Sequence, residues 1–442
     1  MERRSLSGWG RTPVSVADVI DADAVDLDRL LAGVGPRGAI ARGCGRAYGD
    51  AAMNAGGTVL RLADQELVLD DATGLLRVGA GVTIDAILRE SVQRGWFIPV
   101  SPGTRYVTIG GAIAANVHGK NHHRDGSFGR WVKSITMVLA DGSTITVDPD
   151  SDPDLWWATI GGMGLTGVVT SAVVEMIPIE TSRCLVDTVR ANDLDELMAE
   201  MERGDERYRY SVAWIDLVAR GARLGRGVLT SGDFARREQL EDTDPLRYDP
   251  GHLASVPAGM PNLLNRAGIK VFNEAYFRSA PRRRTDEVQP IARFFHPLDA
   301  VGNWNRLYGR RGFIQYQFVV PDEQHQVIRR AIERIVMAGR ASFLAVLKRF
   351  GEADPAMLGF PMPGWTLTLD VPAVPAVLAD LVVDLDEMVL EAGGRVYLAK
   401  DAVATPEMIR ATYPHLERFV AVRDRVDPDR VWNSDLSRRL EL

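Results

Sequence analysis

From Gly38 to about Val174 the chain alternates short apolar runs with Gly, Asp and Pro breaks. GAIARG, TVLRLA, LLRVGAG, WFIPV, ITMVLADGSTITV and GVVTSAVVEMI are the runs, too short for buried helices and bounded by turn residues, so they predict strands. Asp141-Gly142 sits between two alternating runs and predicts a hairpin, because both residues tolerate the positive φ of a tight turn. Helical spacing interrupts this pattern at Thr83–Gln93, where Ile84, Ile87 and Leu88 share a face, and at Gly111–Val117. The predicted class is α+β.

Beyond Glu180 the pattern changes. Ala254–Arg266, rich in Pro, Gly and Asn, predicts a mobile loop, and disorder is also expected around Pro297–Arg311. Then one unit occurs twice. The strand GFIQYQFVVP leads to a helix over Asp322–Ala338, Gly339 and the strand SFLAVLKRF; the strand GWTLTLDVP leads to a helix over about 376–392, two glycines and the strand RVYLAK. Apolar stripes at i, i+4 mark both helices, Val327/Ala331/Ile335 and Leu378/Val382/Leu385, and both end at glycine. Aligning Pro321 with Pro372 sets Gln315 and Gln317 against Thr366 and Thr368, each pair on one strand face. Each unit closes on a lysine, Lys348 or Lys400. Such a face suits an anionic or oxygen-rich ligand, although a sheet face open to water has the same pattern.

With 442 residues, 46% hydrophobic and 25% charged, the chain can bury the core of two or three domains and is not disordered. Its net charge of −7 argues against a nucleic-acid partner, which needs surplus cations. No run of 18 apolar residues is present, and MERRSLSGWGRT lacks the apolar core of a secretory signal, so the expected place is the cytoplasm or the membrane surface, with the cell envelope as the open alternative. Cys44 and Cys184 make no disulfide framework and have no metal-ligand spacing. Lysine is scarce: Lys120, Lys133, Lys270, Lys348 and Lys400 stand in a chain that otherwise uses arginine.

Three glycine-dense segments carry the chemistry. Ala41-Arg42-Gly43-Cys44-Gly45-Arg46-Ala47-Tyr48-Gly49-Asp50 follows a predicted strand and lets backbone N–H groups approach a diphosphate; it has neither the Walker lysine nor Rossmann spacing. Pro102 to His123 contains Gly110-Gly111 and predicts a short helix whose N-terminal amides face a phosphate and whose end delivers His118. Three of the seven histidines lie between 118 and 123, but no cysteine or carboxylate completes a tetrahedral set, so no metal is expected. Trp156 to Val169 threads glycines through an apolar strand entry. A cofactor with a diphosphate and a flat ring explains all three.

The Arg-Gly-x-Gly-Arg-x-Tyr-Gly-Asp loop, the Pro-Gly-Thr to Gly-Gly-Ala-Ile stretch and Gly-Gly-x-Gly-Leu-Thr-Gly resemble the FAD-binding domain of the vanillyl-alcohol-oxidase flavoprotein superfamily. His-Gly-Lys-Asn-His-His, Phe-His-Pro-Leu-Asp at 295–299, Gln-Tyr-Gln-Phe at 315–318, Ala-Lys-Asp at 399–401 and the closing Ser-Asp-Leu-Ser-Arg-Arg-Leu-Glu-Leu resemble its branch that oxidises polyprenylphosphoryl ribose. The resemblance implies an FAD-binding domain over 1–180, a substrate domain over 181–394 built on an antiparallel sheet with helices, and a segment 395–442 returning to the first domain. It implies that Ala41–Asp50, Gly103, Thr104, Val107, Thr108, Gly110, Gly111, Ala115, Asn116, Val117, His118, Val168, Val169 and Tyr397 touch FAD. Arg46 stands about where relatives carry the histidine of a covalent flavin link, so FAD is expected to be noncovalent; Cys44 is the remaining candidate attachment point.

The same resemblance puts Lys120, Trp214, Phe295, Gln315, Gln317, Lys348, Thr366, Thr368 and Asp370 around a sugar phosphate, with Lys400, Tyr48 and His118 as catalytic groups. Lys400 is either the base for the hydroxyl proton or a phosphate partner. Thr366 and Thr368 stand where the branch usually has Asn and Cys, and Phe295 where it has Tyr. The implied reaction oxidises the 2′-hydroxyl of the lipid-linked sugar to a ketone at the membrane surface, and a separate NAD(P)H-dependent short-chain reductase completes an epimerisation for the actinobacterial cell wall. The loops at 254–266 and 297–311 are candidate covers for the prenyl chain. The alternatives are an FAD-dependent oxidase of a soluble sugar or alditol, and a non-enzymatic flavoprotein.

Overall fold

The computed structural model describes residues 2–21, 27–63, 66–241, 243–259, 264, 266–339 and 342–442. The first half builds two sheets, as its short apolar runs predict. One is mixed, with strands in the order Glu2–Ser7, Val14–Asp21, Thr58–Arg61, Ala39–Arg42. The other is antiparallel, in the order Leu67–Leu69, Leu75–Gly79, Val168–Glu175, Val132–Val138, Thr144–Val147. The predicted hairpin joins the last two, with Gly142 at φ +85° and Asp141 Oδ1 accepting from the Ser143 amide at 2.9 Å. The predicted helix at 83–93 forms as Ile84–Ser91; Thr83 Oγ1 caps it by accepting from the Ala86 amide, and Ile84, Ile87 and Leu88 are buried.

The second half builds one eight-stranded antiparallel sheet, ordered Arg283–Pro290, Arg183–Ala191, Gly227–Phe234, Tyr210–Ile215, Ala345–Phe350, Gly364–Pro372, Phe313–Pro321, Arg395–Val396. The repeated unit is its centre. Phe313–Pro321 and Gly364–Pro372 pair in the register that sets Gln317 opposite Thr368 and Gln315 opposite Asp370. The helices Gln326–Ala338 and Pro375–Glu391 follow, and the stripe Val327, Ala331, Ile335 is buried. The first ends at Gly339 with φ +65°. Leu378 lies outside the residues whose side chains are described, whereas Val382 and Leu385 are buried. Because strand side chains alternate, Tyr316 reaches the second helix and donates to Asp386 at 2.6 Å, while its neighbours Gln315 and Gln317 face the opposite side.

Three expectations need correcting. The last predicted strand, RVYLAK, stops at Val396, and Tyr397–Lys400 turns instead, with the Lys400 amide donating to Tyr397 O at 2.9 Å. Residues 297–311 are ordered by packing: Trp304 and Tyr308 are buried in an aromatic cluster with Phe313, and the Tyr308 and Phe313 rings stack at 4.0 Å. The loop expected at 254–266 contains a short strand, Ala254–Ser255, paired with Val301–Gly302; positions 260–263 and 265 lie outside the described residues.

The chain end reaches the first glycine loop. Ala399 O accepts from the Tyr48 amide at 3.0 Å, and Asn433 donates its amide to Ala39 O at 2.8 Å. In the helix Asp435–Leu440, Arg439 bonds both Asp50 and Asp401 at 2.8 Å, fixing the loop against the turn that carries Lys400.

Candidate functional site

A cavity of about 820 Å³ runs between the glycine loops of the first half and the face of the large sheet that carries Gln315 and Gln317. Ala41, Arg42, Gly43, Cys44, Gly45, Arg46, Ala47 and Tyr48 form one wall. Gly43 allows a close approach there: a Cβ would stand 2.2 Å from Thr108 Oγ1. Gly45 turns with φ +62°, and among the described residues the amides of Gly45, Arg46 and Ala47 donate to no protein acceptor. Successive free amides at a turn are a site for an anion such as a diphosphate. Arg46 lays its guanidinium 4.0 Å from the Trp9 ring, and its Nε has no hydrogen-bond partner among the described residues.

The short helix forms as Ile109–Ala114, and its role differs from the expected one. Its first amides are already used: Ile109 donates to Val82 O, Gly110 to Ala80 O, and Gly111 to the capping Thr108 Oγ1. Gly110 and Gly111 therefore line the cavity as close-packed backbone, not as phosphate donors. Gly103, Thr104, Val107, Thr108, Ala115, Val117, Val169 and Tyr397 share this wall. Tyr397 is fixed by its hydroxyl donating to Ala115 O at 2.8 Å and by stacking on Phe360.

Four predicted cofactor contacts stand behind the wall. Gly49 packs on Asp401, where a Cβ would meet the carbonyl oxygen at 1.8 Å. Asp50 holds Arg439. Asn116, at φ +39°, donates to Asp354 at 2.7 Å and accepts the Gly129 amide. Val168 is fully buried with Ile20 and Trp432. These residues shape the loops from behind.

The same cavity carries polar side chains. Lys120, His118, Gln315, Gln317, Lys348, Thr368 and Lys400 all line it, with Trp214 and Phe295, and of these Lys400 lies against the first wall at Tyr48. Gln317 Nε2 lies 3.0 Å from His118 Nε2 and donates to it, so the ring proton sits on Nδ1, which has no partner among the described residues. Burial, then the charge of Lys348, holds His118 well below the usual histidine pKa, so it stays neutral. Burial also brings Lys400 down to about 7, Lys120 to about 7 and Lys348 to about 8. Lys400 Nζ lies 3.9 Å from the centre of the Tyr48 ring. Burial and the nearby Asp370 raise the Tyr48 hydroxyl well above its usual range. Lys120 donates to Phe294 O.

Two predicted substrate contacts are also set back. Thr366 is fully buried and accepts from Gln317 at 3.2 Å. Asp370, also buried, accepts from Gln315 at 2.6 Å and Tyr308 at 2.7 Å, and burial raises its pKa to about 7. Both position glutamines instead of lining the cavity. Phe295 is mostly core, packed against Phe97 and Tyr210.

Sequence reasoning named 297–311 as a candidate cover for the prenyl chain but assigned no site residue within 297–304. Pro297, Leu298, Asp299 and Trp304 line the cavity, and Asp299 accepts from Thr104 Oγ1 at 2.7 Å and the Arg105 amide at 2.8 Å. The signal was present in the Phe-His-Pro-Leu-Asp run. Gly164 and Gly167 also line it, in the third glycine segment.

The family described as FAD binding domain matches residues 37–148, and the family described as D-arabinono-1,4-lactone oxidase matches residues 377–440. Decaprenylphosphoryl-β-D-ribose oxidase of Mycolicibacterium smegmatis is 42% identical across 99% of this chain and 98% of its own. An uncharacterised Streptomyces coelicolor protein is 38% identical over 82% of this chain and 100% of its own. L-gulono-1,4-lactone dehydrogenase of Mycobacterium tuberculosis is 23% identical over 98% of each chain.

Proposed function

The chain belongs to the decaprenylphosphoryl-β-D-ribose oxidase family of FAD-binding oxidoreductases, and on that premise we propose that it oxidises the 2′-hydroxyl of a polyprenylphosphoryl-β-D-ribose to the 2′-keto sugar. A separate NAD(P)H-dependent short-chain reductase would then complete an epimerisation that yields an arabinose donor for cell-wall synthesis. The observation that carries the reading is the convergence of Lys120, Lys348 and Lys400, three of the five lysines in the chain, on one cavity that the glycine loops also line. A phosphate between sugar and lipid supplies the negative charge this cluster needs. Beyond the lysines the wall turns apolar at Trp214, Val346, Phe343 and Leu298, which suits a prenyl chain.

The residues present fit FAD. In this reading 1–180 with 395–442 forms the cofactor unit, the amides of Gly45 to Ala47 hold the diphosphate, and Gly43, Gly110, Gly111 and Val169 give the ring system room. When bound, FAD supplies the acceptor for the hydride from the carbinol carbon. The protein orients that carbon and manages the hydroxyl proton. Gln315 and Gln317 hold sugar oxygens, His118 offers its Nδ1 proton as a donor, and Lys348 pairs the phosphate. Lys400 receives the proton, since its pKa of about 7 leaves much of it as free amine at neutral pH, whereas Tyr48 stays protonated and His118 is too weakly basic.

Anaerobic titration with a polyprenylphosphoryl ribose should bleach the flavin stoichiometrically, while ribose and aldonolactones should not. Bleaching by the soluble sugars alone would overturn the substrate assignment. Arg46, held against Trp9, has no nucleophile with which to link the flavin. Acid precipitation should therefore release all yellow colour to the supernatant, and colour kept in the pellet would show a covalent link, with Cys44 the first residue to map.

A further inference from the structure

Among the described residues, only two aromatic side chains rank with the exposed large hydrophobics, and both lie on the helix Arg266–Ser279. Phe272 is 48% and Tyr276 42% exposed, and each also lines the cavity. They are one turn apart and their rings stack at 6.1 Å. Tyr276 meets Trp214 at 4.8 Å, and Phe272 meets Phe343 at 6.0 Å, so the exposed patch continues without a break into the apolar part of the cavity. Next to Phe272, Val271 is 70% exposed. The helix is anchored by its other face: Ile269, Asn273 and Phe277 are buried, and Asn273 donates to Asp216 at 2.7 Å.

Charge follows the same surface. Residues 266–284 carry six cations, Arg266, Lys270, Arg278, Arg282, Arg283 and Arg284, against one carboxylate, in a chain whose net charge is −7. That carboxylate, Glu274, is held by Arg226 at 2.6 Å and by Arg278 at 2.5 Å; Arg283 pairs with Glu200 at 2.6 Å and Arg284 with Glu287 at 3.5 Å, whereas Arg266, Lys270 and Arg282 make no ion pair among the described residues. Lys270, Arg278, Arg282, Arg283 and Arg284 are exposed. An apolar strip flanked by arginine and lysine has the chemistry of a surface that rests in the headgroup layer of an anionic leaflet: the rings and valine enter the acyl boundary and the cations meet lipid phosphates.

We propose that the helix Arg266–Ser279 and the segment after it, as far as Arg284 at the start of the edge strand, dock this protein on an anionic membrane, with the cavity mouth between Phe272 and Tyr276 opening to the leaflet. The proposal rests on the reading of the substrate as lipid-linked. It explains why an apolar strip is left exposed beside the mouth of a cavity lined with lysines. The prenyl chain stays in the leaflet while only the sugar and phosphate pass to Lys348 and Lys400, so the tail does not cross water to reach the site.

Flotation of the holoenzyme with phosphatidylcholine vesicles, and with vesicles of equal phosphatidylcholine and phosphatidylglycerol, tests this. Binding is expected only to the anionic vesicles, and it should weaken as salt is raised. The variant Lys270→Glu/Val271→Asp/Arg282→Glu changes exposed positions that do not line the cavity; it should bind the anionic vesicles at least about tenfold more weakly, in keeping with the reversal of two surface cations and the loss of one apolar contact. It should keep wild-type turnover of a short-chain, water-soluble polyprenylphosphoryl ribose and lose turnover of long-chain substrate presented in vesicles. Wild-type binding by the variant would overturn the proposal. So would a holoenzyme that ignores both vesicles, and if the same substitutions then dissolved a dimer in gel filtration, the face would be a contact between proteins. Vesicle binding without turnover of any prenylated sugar would leave the docking face standing and reject the substrate reading.

Discussion

Replacing Lys400 with alanine is expected to leave FAD bound and to slow substrate-dependent flavin reduction by more than about a hundredfold, the lower range for losing an acid–base group. The turn at Tyr397–Lys400 is fixed by the Tyr48–Ala399 hydrogen bond and by Arg439 on Asp401, so truncating the lysine side chain leaves the loop contacts intact. Burial is the largest influence on this ammonium; Asp370 opposes it and Lys348 adds to it, for a pKa of about 7. The sign of the pH dependence separates base from clamp. A base acts as the free amine, so the rate at limiting substrate should rise as pH passes through about 7 and then level. A phosphate clamp acts as the ammonium, and since a phosphodiester keeps its single charge over this range, binding would weaken across the same interval. Lys400→Arg keeps the charge but cannot give up its proton near neutrality, so it should be as slow as the alanine variant. Normal reduction with weakened binding in the alanine variant would make Lys400 a clamp.

Much of this site was legible because its signals are local. Turn chemistry located the Asp141-Gly142 hairpin, and alternation put Gln315 with Gln317 and Thr366 with Thr368 on one strand face each; the repeat alignment set Gln315 against Thr366, whereas the antiparallel register opposes Gln315 to Asp370 and only Gln317 to Thr368. What failed depends on contacts distant in sequence. The amides of Ile109 and Gly110 looked free for phosphate, but Val82 and Ala80, brought up from another segment, already accept them. Asp370 shares a strand face with Thr368, yet Tyr308 and Gln315 cover it. Alternation gives the face of a side chain and not its depth. Residues 297–311 were expected to be disordered; their order comes from Trp304 and Tyr308 packing on Phe313 and from Asp299 reaching Thr104. The exposed helix Arg266–Ser279 was passed over beside a loop-like stretch, since its apolar positions serve two surfaces and so show no single stripe.

Thr368 is the position where one atom type should change the kind of inhibition. It lines the cavity, and its neighbours on the same strand face, Thr366 and Asp370, are buried behind the glutamines. A nitroaromatic compound in this cavity that takes two electrons from reduced flavin becomes a nitroso compound and water. A thiolate adds to the nitroso nitrogen; a threonine hydroxyl, far less acidic, does not without a dedicated base. The natural protein should therefore bind such compounds reversibly, and Thr368→Cys should be inactivated irreversibly with one adduct. Cys44 is a second thiol on the cavity wall, so the comparison belongs in a Cys44→Ser background, with intact mass read after turnover. In that background the adduct should appear with Thr368→Cys and be absent without it. An adduct before the cysteine is introduced, or none afterwards, would place Thr368 out of reach of the reacting centre and leave the sheet face at that depth to a different part of the ligand.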